Sequence, residues 1–147
     1  MAITQKLTVD EVREYISDYA INNHLIDGEE FSDSFIALNM DLAIDEFNIV
    51  PPATGYRLDS FPSKAILMNG TLWKMFEGKA ALFARNTMSY SDGGLQIPIE
   101  EKTEAYRALS GDFQAIFNAQ VRSYKIHINM ESGWGEVRSD QSMFPVW

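Results

Sequence analysis

Apolar residues return every three or four positions along two long stretches of this chain, from about residue 62 to 87 and from about 100 to 130. That period commits much of the length to α-helix. The first stretch carries Ala65, Met68, Leu72, Met75, Phe76, Ala80 and Phe83 on one stripe. The second carries Tyr106, Leu109, Phe113, Ile116, Phe117, Val121, Tyr124 and Ile128. Pro62 reads as lying near the first position of its helix, where a missing amide hydrogen costs nothing. Gly70 and Gly78 each weaken that helix by about 1 kcal/mol relative to alanine, so they predict another helix in close approach.

Two shorter helices precede these. Thr8-Val9-Asp10-Glu11 has the form of a capping box, and Val9, Val12, Ile16 and Tyr19 then recur at helical spacing, which predicts a helix over 9–19. Ser32 can cap a second helix over 33–48, with Phe31 placed to pack on Ile36 as a hydrophobic staple. Its inner stripe is Ile36, Met40, Ala43 and Phe47, widened by Phe35 and Leu42, and Asp33, Asp41 and Asp45 fall toward the other side. Pro51-Pro52 ends it. Between the long helices, residues 89–94 read as a turn, and the alternating Leu95-Gln96-Ile97-Pro98-Ile99 reads as a short strand or arm. The expected fold class is all-α: a four-helix domain over 1–130, with a Gly-rich loop or short β arm, and an extended C-terminal tail over 131–147.

A chain of 147 residues, 46% apolar and 12% aromatic, can bury one core. No basic leader followed by an apolar run is read, and no uncharged apolar stretch reaches the roughly 20 residues that span a bilayer, so membrane insertion is not expected. Cysteine is absent, which removes disulfides, thiolate metal sites and cysteine nucleophiles together and suits a reducing cytosol. Residues 1–60 hold 12 acids against 3 bases, whereas residues 61–147 hold 9 of each. The net charge of −9 therefore sits in the first part of the chain and argues against wrapping a nucleic-acid backbone.

The candidate chemistry is sparse. Of two histidines, His24 reads as a loop residue and His127, set between Ile126 and Ile128, as a partly buried structural one; no helical metal pair is expected. Asp27-Gly28-Glu29-Glu30 lacks the alternating ligands of a calcium loop. No serine lies in a nucleophile elbow, Gly93-Gly94 precedes no lysine-bearing phosphate helix, and Glu100-Glu101 fit a helix's first turn. The expectation is a protein without catalytic, cofactor or metal residues, made for assembly.

Residues 131–147 carry Trp134, Met143, Phe144, Pro145 and Trp147 without helical or strand period. Burying each large aromatic is favourable by roughly 1.5–3 kcal/mol, so the tail is expected either to fold back on its own domain or to insert into a neighbouring subunit or partner.

Several segments together resemble the head-to-tail connector (adaptor, or neck) proteins of tailed bacteriophages. They are Leu25-Ile26-Asp27-Gly28-Glu29-Glu30-Phe31-Ser32-Asp33; Asp45-Glu46-Phe47-Asn48-Ile49-Val50-Pro51-Pro52; Phe61-Pro62-Ser63-Lys64-Ala65; and Ala84-Arg85-Asn86-Thr87-Met88-Ser89-Tyr90-Ser91-Asp92-Gly93-Gly94. The resemblance covers about residues 8–130 and rests on helix layout; the ending Met143-Phe144-Pro145-Val146-Trp147 stands outside it. It implies a virion protein made in the bacterial host cytoplasm and placed at the head-tail junction. There it would assemble as a homo-oligomeric ring, usually of twelve copies, between the portal protein and the tail or neck proteins. Double-stranded DNA would pass through its lumen without sequence-specific binding. On this reading Trp134, Met143, Phe144, Pro145 and Trp147 meet the portal or a neighbouring subunit. Tyr90, Asp92, Leu95 and Ile97 form an inter-subunit loop, and Asp33, Asp41 and Asp45 face the channel. Two alternatives stand beside it: another neck or tail-completion protein of the same virion, and an acidic regulatory protein that mimics DNA or binds a host factor.

Overall fold

The computed structural model describes residues 6–86, 89–92, 95–98 and 102–136. The fold is all-α with one small hairpin. Helices α1 (Val9–Ile16), α2 (Asp33–Ile49) and α3 (Lys64–Asn86) are followed by strands β1 (Ser89–Asp92) and β2 (Leu95–Pro98), then by α4 (Lys102–Glu136).

Local chemistry sets the ends of the helices. The Thr8 hydroxyl accepts from the Glu11 amide and the Glu11 carboxylate accepts from the Thr8 amide, completing the capping box. The first helix ends at Ile16, three residues short of the expected 19. Ser17 turns left-handed (φ 53°), and the Ser17 and Asp18 amides donate to the carbonyls of Glu14 and Arg13. Ser32 caps α2 through the Phe35 amide at 3.3 Å. Pro62 is not the first residue of α3: Ser63 intervenes, its hydroxyl 3.4 Å from the Ile66 amide and its carbonyl accepting from Leu67.

Helix α3 packs against both α2 and α4, and the core forms where the three meet. Phe47, Phe117, Leu67, Leu72, Met75 and Ile36 are among its fully buried side chains. Gly70 allows the closest approach. A Cβ there would lie 2.6 Å from the Phe117 ring and 2.9 Å from the Ala43 Cβ, so only glycine fits between α2 and α4. A Cβ at Gly78 would meet the Phe35 ring at 3.1 Å. Both glycines thus mark close approach, as expected. Phe31 stacks on Phe35 (centroids 6.0 Å) and joins Ile36 in the buried cluster.

The loop from α2 to α3 is pinned by Asn48. Its amide group donates to the Tyr56 carbonyl and its oxygen accepts from the Thr54 hydroxyl and the Tyr56 amide. Lys125 of α4 reaches the same loop. Its ammonium donates to the Pro52 carbonyl (2.9 Å) and the Thr54 hydroxyl (2.7 Å) and lies 4.5 Å from the centroid of the Phe47 ring. Burial pushes the Lys125 pKa down. Next to it, burial and a hydrogen bond with Tyr56 push the Tyr124 hydroxyl up to about 12.

Several expectations are corrected. Ala65, Leu42, Leu109 and Ile116, assigned to inner stripes, are exposed; the last three stand at 40–46%. His127 is exposed rather than half-buried, and its Nε2 lies 3.2 Å from the Glu131 carboxylate one turn on. The turn expected over 89–94 is partly strand, with Ser89, Tyr90, Ser91 and Asp92 paired antiparallel to Pro98, Ile97, Gln96 and Leu95. Helix α4 continues to Glu136, so the start of the expected extended tail is helical.

Candidate docking surfaces

The three channel candidates occupy different surroundings. Asp33, at the first position of α2, lies 2.6 Å from the buried Arg13 guanidinium. Arg13 also meets Asp18 at 3.0 Å and Glu29 at 3.1 Å, so one cation serves three carboxylates. Burial opposes the charge on Asp18. The Glu30 amide, Asn23, the Phe31 amide and Arg13 outweigh that cost and hold its carboxyl below the ordinary value. Asp33 is therefore part of the knot that ties α1 to the start of α2. Asp41 and Asp45 are exposed, and neither makes an ion pair or hydrogen bond among the described residues.

Beside those two acids lie Leu38, Leu42 and Ile49, all exposed on the face of α2 opposite Met40, Ala43 and Phe47. On α4, Leu109, Ile116, Ile126 and Met130 form a second exposed row, away from Phe113, Phe117, Val121 and Tyr124. The sequence does contain this signal. Two apolar phases run along α4, and reading them as one broad stripe hid the outer one. Arg122, one turn before Ile126, is exposed and unpaired among the described residues.

The hairpin holding Tyr90, Asp92, Leu95 and Ile97 makes its main contacts between its own strands, linking α3 to α4. Tyr90 stands opposite Ile97 and Asp92 opposite Leu95 in the backbone register. Their side chains lie outside the described residues. Trp134 has its backbone within α4, its side chain likewise outside them, and Met143, Phe144, Pro145 and Trp147 lie wholly beyond them.

A groove of about 720 Å³ runs between the start of α2 and the second half of α3, lined by Phe35, Gly78, Lys79, Leu82 and Arg85 among others. Among the described residues its one hydroxyl, Ser32, is engaged at the α2 cap, and Lys79 donates to the Glu30 carbonyl. No group of three or more metal-ligating side chains occurs among the described residues, and none of the helices there is long and apolar enough to cross a membrane. No family model, curated protein or solved structure matches this chain.

Proposed function

We propose that this chain is a structural virion protein, an adaptor that forms a ring between portal and tail and extends the DNA channel. The observation that carries the reading is where the side chains are engaged. The buried charges Arg13, Asp18 and Lys125 are satisfied within the domain, while large apolar residues stay outside on both α2 and α4. A domain of this kind is suited to protein–protein contact on more than one side. The resemblance of residues 8–130 to phage connectors supplies the kind of assembly. The net charge of −9 per copy suits a lumen that DNA traverses without adhering.

The test is sedimentation of the purified chain with portal-bearing capsids that lack tails. The full chain is expected to travel with the capsids and not with shells lacking a portal. A chain ending at residue 136 is expected to keep its helical circular dichroism and lose capsid binding, because residues 137–147 hold Phe144 and Trp147, the type of residue that anchors interfaces. Equal binding to shells with and without portals would reject the connector. Binding that survives the truncation would move the anchor to the hairpin.

A further inference from the structure

Each of the two helices packed on α3 leaves one apolar row without a partner among the described residues. On α2 the row is Leu38, Leu42 and Ile49; on α4 it is Leu109, Ile116, Ile126 and Met130, all between 40% and 71% exposed. The spacings, four and seven residues on α2 and seven, ten and four on α4, keep each row on one side of its helix and match the seam of a helix pair. The edges differ in charge. Helix α2 carries no base; its Asp41 and Asp45 stand one turn from Leu38 and Leu42 and are unpaired among the described residues. Arg122 stands one turn from Ile126, and neither it nor Asp112, between Leu109 and Ile116, has a partner among the described residues.

We propose that α2 of one copy packs along α4 of the next copy of this chain, joining the apolar rows and setting Asp41 and Asp45 toward Arg122. The symmetric alternatives fit less well. An α2–α2 contact brings like charges together, and an α4–α4 contact leaves the α2 row in water. The head-to-tail contact covers the α2 row and part of the longer α4 row at each junction and brings Arg122 toward Asp41 and Asp45. Because it joins two different faces, it leaves a free α2 face and a free α4 face at the ends of any oligomer, so the assembly grows until it closes. The proposal rests on the connector reading only for that closure. It takes Asp41 and Asp45 from the channel wall to the subunit contact.

A chain without cysteine makes the test direct. Leu42→Cys and Ile116→Cys replace exposed residues, and circular dichroism checks that each variant folds. Each is oxidised alone at high protein concentration, and the two are oxidised together with one carrying a size tag. The expected result is a tagged–untagged dimer several-fold more abundant than either self-linked dimer. The double variant L42C/I116C should give a ladder beyond the dimer. Asp45→Arg and Arg122→Asp should each reduce the mixed product, and combining them should restore it. Predominance of either self-linked dimer, or no cross-link in free protein or on capsids, overturns the proposal. A ladder without capsid binding would keep the contact and reject the connector; capsid binding without the mixed cross-link would do the reverse.

Discussion

Arg13 and Asp18 hold the first two helices together, and neither can be exchanged without stranding a buried partner. Asp18 has its carboxyl held below the ordinary value, so its contribution to stability is complete above that value and is lost as pH falls through the lowered one. Asp18→Asn is expected to cost about 1–3 kcal/mol at neutral pH and to flatten the acid limb of stability against pH below about 4. Urea titrations at several pH values read both effects, and an unchanged acid limb would remove Asp18 from that role. Gly70 gives a steric counterpart. Gly70→Ala gains about 1 kcal/mol of helix propensity, but the Ala43 Cβ sits on a packed helix and cannot retreat as a flexible side-chain end would. Overpacking costs about 1–3 kcal/mol, so the net change is expected to be destabilising and to lower the melting temperature. A melt at or above the parent value would show that the three helices can separate at that point. Gly70 was legible as a contact point because a glycine inside a strong helical period needs a reason. The role of Arg13 was not, since its three acids lie 5, 16 and 20 residues away in sequence and meet only through the loop between α1 and α2.

Periodicity located all four helices, yet it placed some faces and ends wrongly. The α4 pattern mixed two phases, and a helix with apolar residues on both sides reads as one broad stripe until its partners are known. Substitution distinguishes the phases. Leu109→Ser with Ile116→Ser is expected to change stability by no more than about 0.5 kcal/mol per site, as for surface residues, whereas Phe117→Ala should cost about 3–5 kcal/mol. Denaturant unfolding of the two variants makes the comparison; a large loss from the outer pair would mean that the row already has a partner within the domain. Two further elements escaped for local reasons. Gly133 and Gly135 lie in the last turns of α4, where each lowers helix propensity by about 1 kcal/mol and no apolar period continues past 130. There the Ser132 hydroxyl donates to the Ile128 carbonyl at 3.0 Å, and His127 meets Glu131 one turn on. In Ser89–Asp92 the Ser and Asp residues favour turns, and the strand emerges only through pairing with Leu95–Pro98.

At the scale of the whole molecule, α2 and α4 both pack on α3 and each turns an apolar row outward, so one copy has two unlike faces to offer. The sequence had already indicated an all-α fold, from its apolar period, and a surplus of acid. It could not indicate the faces, because a row is unpartnered only once the other helices are in place. Among the candidate residues, Asp33, Asp41 and Asp45 all stand exposed on α2, and Asp33 also pairs with Arg13. The proposed ring at one vertex of a capsid is open to electron microscopy of tailless, portal-bearing capsids incubated with the purified chain. Rotational averaging is expected to show added density at one vertex per capsid, closed around an open lumen. Density scattered over the shell, or bare vertices at saturating protein, would rule the ring out.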